Sequence, residues 1–125
     1  MASDPSKESE RETRRKRIDP KLEAVGWNII PIDTPLKPDK RSTYVIEEYE
    51  TENGPADYAL AVNGIVLGVV EAKKVTLGPQ GVLTQAERYA KGITNSPYNY
   101  HGFRVPFLYS TNGEIICIII NLLLV

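Results

Sequence analysis

Three charged residues interrupt two apolar segments of the 125-residue chain and are its best candidates for chemistry. Asp57 lies at the start of the segment 56–62, while Glu71 and Lys73 follow the segment 65–70. Two carboxylates on neighbouring strands offer hard oxygen ligands to Mg²⁺, or to Mn²⁺ in its place. A bound cation activates water and neutralises phosphate charge, and a lysine ammonium stabilises the transition state. These residue types therefore predict phosphodiester hydrolysis; the alternative is a structural ion pair at strand ends.

The turn of the predicted hairpin decides whether the three side chains share one face. Glu71 and Lys73 are two residues apart in a strand, so they lie on the same face. A two-residue turn at 63–64 pairs residue 62 with 65 and directs Asp57 to the other face. A three-residue turn at 62–64 pairs residue 61 with 65, which places Asp57 opposite Val69 and on the face of Glu71. Because Gly64 suits the left-handed position that closes the longer turn, we expect the bulged three-residue turn.

The elements around this hairpin predict an α/β fold. Ile18, Leu22 and Val25 have helical spacing, so a helix is expected over residues 8–25, kinked or split at Pro20. A second helix is expected over 77–93. Extended or strand segments are expected at 27–32, 44–49, 105–111 and 114–120, with a proline-rich loop at 31–39. The order predicts a mixed central sheet of four to five strands flanked by helices.

Length and composition predict one folded domain over residues 8–120, after a disordered terminus at 1–7. Residues 121–125 continue an apolar run and are expected to be a truncated tail through which chains self-associate. One cysteine and a charged N-terminus without a signal peptide predict a cytoplasmic protein. The longest apolar run is too short to span a membrane. A net charge of −1 disfavours a surface wholly devoted to nucleic acid.

Charge is nonetheless uneven along the chain. Five basic residues fall within seven positions: Arg11, Arg14, Arg15, Lys16 and Arg17. An acidic stretch follows at Glu47, Glu48, Glu50 and Glu52. The basic run has two interpretations, the solvated face of a helix or an edge that contacts phosphates.

Seven short segments, in this order, make the chain resemble one known family. They are SERETR (9–14), IDP (18–20), GW (26–27), ADYAL (56–60), VVEAKK (69–74), QAERYA (85–90) and STNG (110–113). Over residues 8–116 the sequence resembles the N-terminal nuclease domain of the R (restriction, motor) subunit of type I restriction enzymes. That domain belongs to the PD-(D/E)xK superfamily and has a restriction-endonuclease-like fold. One departure is that Ala56 precedes Asp57, with Pro55 displaced by one position.

The resemblance implies roles for individual residues. Asp57 and Glu71 become metal ligands and Lys73 the catalytic lysine. Glu10 matches the acidic residue of the first helix that completes such metal sites. Glu12 competes with it, because a helix directs residues two apart to different faces.

Further residues are implied to bind DNA or to position the active site. Gln85 and Tyr89 match a Gln-x-x-x-Tyr element of the family, and their spacing places them on one helix face. Arg14 and Lys74, which lie in two of the matched segments, are further candidates for the same role.

The function that the resemblance implies is a Mg²⁺-dependent endonuclease acting on double-stranded DNA in a type I restriction–modification system of prokaryotic defence. Its partners are the modification (M) and specificity (S) subunits. The sequence contains no Walker-type phosphate loop, so no ATP site is expected in this chain. Two alternatives remain, a non-catalytic DNA-binding or assembly module of the same fold and a free-standing DNA-repair nuclease.

Overall fold

Six strands form one mixed sheet in the computed structural model, which describes residues 7–30, 43–78, 83–94 and 96–120. Their bounds are β1 Asn28–Ile30, β2 Thr43–Thr51, β3 Gly54–Val62, β4 Ile65–Ala72, β5 Phe107–Thr111 and β6 Ile116–Ile120. The strands lie in chain order; β1–β2 and β4–β5 pair in parallel and the other neighbours antiparallel. The α/β class and the mixed sheet are confirmed. The expected four to five strands become six, because the extended segment at Asn28 pairs with β2.

The first helical region runs without a break over residues 10–24. It consists of α1 (Glu10–Thr13), a π-helical turn (Arg14–Ile18) and α2 (Asp19–Ala24). The Ser9 hydroxyl begins it by accepting the Glu12 N–H at 3.1 Å. The helix was expected to kink or split at Pro20, and the irregularity found is the π-helical turn that precedes this proline. Proline has no N–H for the carbonyl group one turn earlier, so the helix widens there at little cost.

The second helix, α3, spans Leu83–Lys91 and is shorter than expected. Leu77, at the expected start, is not helical, because its N–H donates to the Lys74 carbonyl in a turn. α3 packs on β3, β4 and β5 through Ala86 and Ala90, whose small side chains allow close approach to the sheet.

Two apolar clusters cover opposite faces of the sheet. Ala59 and Ala61 of β3 belong to the cluster that includes α3, whereas Tyr58 and Leu60 belong to the cluster that includes Ile18. This alternation is the period of a strand buried on both sides. The hairpin strands are therefore fixed between two layers, and only their ends reach polar surroundings.

Several expectations lie outside the described residues. They concern the proline-rich loop at 31–39, the terminus up to residue 6 and the tail at 121–125. Within the described ranges, no helix has the length and apolar character needed to span a membrane.

Candidate functional site

The β3–β4 hairpin has a two-residue turn, so the expected three-residue turn is wrong. Val62 pairs with Ile65, and the turn residues Asn63 and Gly64 both have positive φ angles, 53° and 77°. An Asn-Gly pair with this backbone suits the tight turn whose twist matches the strands. The expected three-residue turn required the left-handed conformation only at Gly64, but asparagine also tolerates that conformation.

A bulge inside β4 nevertheless brings the carboxylates to one face. Ala61 pairs with Val66 but Leu60 pairs with Gly68, so one extra residue is accommodated in β4. Beyond the bulge, Tyr58 pairs with Val70. Continuing that register by one residue places Asp57 across from Glu71. The expected neighbour of Asp57, Val69, instead pairs with Ala59.

Asp57 and Glu71 are tied together where the two strands stop pairing. The Asp57 N–H donates to Oε1 of Glu71 at 3.0 Å, and the Ala72 N–H donates to Oδ2 of Asp57 at 2.7 Å. Each carboxylate thus accepts a main-chain hydrogen bond across the strand junction. These bonds fix the orientation of both acids relative to the sheet.

The two acids form an electrostatically unfavourable pair. Glu71 is only 3% exposed, and burial raises its pKa to about 9, with further upward contributions from Asp57 and Glu10. A desolvated carboxyl group beside a second acid resists ionisation unless a cation compensates. This junction therefore favours either a bound proton or a bound cation.

Glu10 and Lys73 complete the charged surroundings of this pair. Burial raises the pKa of Glu10, and Asp57 raises it further, while Lys73 and Arg14 lower it. Glu10 therefore lies within the field of all three side chains. The main chain of Lys73 is held by its N–H, which donates to the Thr111 carbonyl at 2.9 Å.

Glu12, the competing acid of the first helix, points elsewhere. Its carboxylate is exposed and contacts Lys16 at 3.3 Å, one turn along the helix. Of the two candidates, Glu10 is the one whose pKa is raised by Asp57, after burial; its role as a ligand stays a prediction.

The Arg14 side chain is buried and contacts Asp57. Its guanidinium donates to Oε1 of Glu48 at 2.6 Å and to the Asp57 carbonyl at 3.2 Å, and Nη1 lies 3.8 Å from Oδ1 of Asp57. The same group lies over the Tyr58 ring, 4.7 Å from its centroid. With its side chain only 11% exposed, Arg14 is placed to position Asp57.

The rest of the basic run is largely neutralised by carboxylates. The ion pairs are Arg15 with Asp19 and Glu47, Lys16 with Glu12, and Arg17 with Glu8 and Glu114. The Arg15 guanidinium is thus paired with Glu47 in the acidic stretch of β2 and with Asp19 in its own helical region. This pairing favours the interpretation of the run as the solvated face of a helix over that of a phosphate-contacting edge.

The remaining predicted residues are not gathered at the carboxylates. Gln85 and Lys74 are exposed, and Tyr89 is half-buried on the α3 cluster with its ring against Gly54. Among the contacts of the described residues, none joins Gln85, Tyr89 or Lys74 to Asp57 or Glu71. Their assignment to DNA binding stays a prediction.

Three residues that fix the main chain and side chains around the site were not predicted from the sequence. Glu48 binds Arg14, as described above. The Thr13 hydroxyl accepts the Val75 N–H at 3.1 Å, and the Asn112 amide donates to the Val75 carbonyl at 3.2 Å. Thr13 and Asn112 thus clamp the loop that follows Lys73. Both occur in the segments that carried the resemblance, which was the available signal.

The donor set limits which metal site is feasible. Among the described residues, no three histidine, cysteine, aspartate or glutamate side chains form a group that would hold a metal ion by themselves. Mg²⁺, however, is commonly bound by one or two carboxylates and retains several waters. Asp57 and Glu71, each with one oxygen in a main-chain hydrogen bond, fit such a two-carboxylate site but not a closed protein cage.

Comparison with known proteins places the chain in a family. Residues 30–118, about seven tenths of the chain, match the family model described as the second domain of the type I restriction enzyme EcoKI endonuclease subunit. No curated protein and no solved structure matched. The matched region includes Asp57, Glu71 and Lys73 but neither Glu10 nor Arg14. The resemblance to a type I endonuclease subunit is confirmed at this level, and its nuclease superfamily stays a prediction. The chain belongs to the family of type I restriction enzyme endonuclease-subunit second domains.

Proposed function

We propose that the chain is a Mg²⁺-dependent endonuclease region of a type I restriction enzyme, which hydrolyses phosphodiester bonds of double-stranded DNA. The observation that carries the proposal is the junction of Asp57 and Glu71, each fixed by a main-chain N–H where β3 and β4 separate. Lys73, two residues beyond Glu71, supplies the cationic group that such chemistry requires.

Asp57 and Glu71 would hold the metal, with Glu10 as a further acid beside them. A bound Mg²⁺ would supply Lewis-acid stabilisation of phosphate charge and a water of lowered pKa. The raised pKa of Glu71 supports this assignment, because a divalent cation compensates the burial and the repulsion from Asp57 that now favour the protonated acid.

Lys73 would act on the phosphate rather than on the metal. Its main chain is fixed by the bond to the Thr111 carbonyl, and no ion pair within 4 Å joins its ammonium to a carboxylate of the described residues. Such an ammonium can orient a water molecule for attack on phosphorus and stabilise the added negative charge. The water oxygen would bond to phosphorus and release a proton to solvent, while the P–O bond to the leaving oxygen breaks and that oxygen takes up a proton.

The wider setting follows from the family. The family description names an endonuclease subunit, which supports a place for this chain in a multi-subunit complex that interacts with DNA. We propose the modification and specificity subunits as partners of this chain, with the ATP-driven motor in another part of the endonuclease subunit.

The test is metal binding by the 125-residue chain, measured by isothermal titration with Mn²⁺ and Mg²⁺. Asp57→Asn and Glu71→Gln should each abolish measurable binding, because either removes one of the two carboxylates that would hold the metal. Glu10→Gln should weaken binding, whereas the matched control Glu12→Gln should leave it unchanged. In the assembled restriction complex, Lys73→Ala should abolish DNA cleavage while retaining metal binding in the isolated chain. Cleavage that survives Glu71→Gln would overturn the proposal.

A non-catalytic assembly module is the second candidate. The observation in its favour is that Arg15, Lys16 and Arg17 are paired with carboxylates, which leaves less positive charge for DNA. Under this function, wild-type chain binds no Mn²⁺, and Lys73→Ala has no effect on cleavage by the complex.

A further inference from the structure

We infer that Glu48 and Arg14 form a latch that positions Asp57 for metal binding, so that Glu48 is a positioning residue of the site. The inference rests on the proposed function, because it concerns the same carboxylate pair. Neither its geometry nor its main test requires bound metal. Glu48 belongs to β2, on the opposite side of β3 from Glu71.

Glu48 has a backbone conformation that a glutamate rarely adopts. Its φ angle is 53°, in the left-handed region, although it lies within a nine-residue strand. In the β2–β3 register, Glu47 pairs with Tyr58 and Tyr49 pairs with Ala56. The left-handed residue is therefore the one across from Asp57.

The conformation has a clear consequence for side-chain direction. Neighbouring residues of a regular strand point to opposite faces. Here, however, Glu47 and Glu48 both reach the first helix, with Glu47 bound to Arg15 at 2.5 Å and Glu48 to Arg14 at 2.6 Å. The left-handed residue allows two successive glutamates to bind two successive arginines.

Arg14 transmits this attachment to Asp57. One nitrogen binds Glu48 and another donates to the Asp57 carbonyl at 3.2 Å. Asp57 is thus held at its carbonyl by Arg14, at its N–H by Glu71 and at its carboxylate by Ala72. The strained backbone conformation of Glu48 is retained because its carboxylate binds Arg14, and Arg14 in turn fixes Asp57, the proposed metal ligand.

The adjacent ion pair provides a matched control. Arg15–Glu47 joins the same helix to the same strand, but Arg15 binds Asp19 rather than Asp57. A general loss of helix–sheet attachment should therefore affect both pairs alike. A positioning role should appear only at Glu48.

The experiment compares Glu48→Gly, Glu48→Gln and Glu47→Gln in the 125-residue chain. Glycine adopts the left-handed conformation without strain, so Glu48→Gly removes the carboxylate and keeps the backbone. The first readout is hydrogen exchange of the Ala72 amide without metal, which reports its bond to Asp57. The second is Mn²⁺ affinity.

Both Glu48 variants should increase Ala72 exchange and weaken Mn²⁺ binding about tenfold, the usual effect of losing a residue that orients a ligand. Glu47→Gln should change neither. Folding is verified by the circular dichroism of each variant, and Arg14→Lys should resemble Glu48→Gln, since lysine cannot bind both partners in the same way.

Two outcomes would overturn the latch. One is wild-type Ala72 exchange in both folded Glu48 variants, and the other is an equal effect of Glu47→Gln. If wild-type chain binds no Mn²⁺, the proposed function fails, but the exchange comparison still decides whether the latch exists.

Discussion

The main-chain N–H of Asp57 lies 3.0 Å from Oε1 of Glu71, so a side chain of β4 accepts the hydrogen bond of a β3 backbone group. The next amide of β4, that of Ala72, bonds in turn to the Asp57 carboxylate. Each acid is thereby part of the scaffold as well as of the site. A substitution at either position will affect stability and ligand binding together, and isosteric amides are the variants that separate the two.

The first prediction concerns Glu71 and pH. Burial and the neighbouring acid raise its pKa in the folded chain to about 9, from an ordinary value of 4.5. Between these values the unfolded chain releases the proton that the folded chain retains, so the free energy of unfolding falls as pH rises. Glu71→Gln removes this dependence while keeping the acceptor oxygen. Without metal, it should raise the melting temperature at pH 8 by roughly 5 °C or more, since about 1 kcal/mol shifts a small domain by 4–8 °C.

Thermal unfolding of wild type and Glu71→Gln between pH 4 and pH 9 provides the measurement. The two melting temperatures should converge at the acid end, where Glu71 is protonated in both states. Glu23→Gln, on the exposed side of α2, serves as the control and should follow wild type throughout. A constant difference between wild type and Glu71→Gln across this range would contradict the assignment of the effect to Glu71 ionisation.

The second prediction concerns the clamp on the loop after Lys73. The buried Thr13 hydroxyl accepts the Val75 N–H and donates to Glu8 at 2.8 Å. Thr13→Val keeps the shape but leaves both partners without their bond, which should cost about 2–3 kcal/mol. Thr13→Ser keeps the hydroxyl and should cost about 1 kcal/mol or less through the lost methyl group. Urea unfolding of the two variants measures the difference, and equal losses would show that the hydroxyl is not what stabilises the loop.

The third prediction concerns the turn between β5 and β6. Gly113 has a φ of 90°, and a Cβ added there would lie 2.7 Å from Cβ of Arg17, too close for real atoms. Gly102 has a φ of 97° but nothing within 4 Å of an added Cβ. Both alanine variants lose about 1–2 kcal/mol from the left-handed conformation. Gly113→Ala should lose roughly a further 1–3 kcal/mol by overpacking.

Chemical unfolding of the two glycine variants isolates the steric effect, because the backbone cost is common to both. If Gly102→Ala is as destabilised as Gly113→Ala, the contact with Arg17 is not the cause. A loss in Gly113→Ala that exceeds the loss in Gly102→Ala is the expected result.

The fourth prediction concerns self-association through β6. This strand lies at one edge of the sheet formed by the described residues and carries no charged side chain. On one of its faces Ile116, Ile118 and Ile120 are each more than half exposed. An uncharged apolar edge tends to pair with another chain. Ile118→Lys should therefore shift sedimentation velocity profiles towards monomer.

Leu77→Lys is the control for added charge, since Leu77 is also exposed but lies in the loop after β4. It should leave the sedimentation profile close to that of wild type. Equal profiles for Ile118→Lys and wild type, with association still present, would exclude β6 as the contact.

The local pattern was enough to predict the elements of this fold. Two apolar runs on either side of Asn63-Gly64 predicted the hairpin, and the spacing of Ile18 and Leu22 predicted the first helix. The choice between Glu10 and Glu12 was beyond a periodicity argument, because it depends on how the helix is rotated against the sheet. The turn was predicted wrongly because two registers were each compatible with the turn residues.

The sequence by itself determined which residue types were available for metal chemistry, their approximate order along the strands and the family resemblance. Tertiary structure decided how they meet. The bulge in β4 places Asp57 on the same face as Glu71. The left-handed Glu48 binds Arg14, which donates to the Asp57 carbonyl. Both features depend on pairing between strands and packing of a helix across them, interactions between residues distant in sequence that no local periodicity encodes.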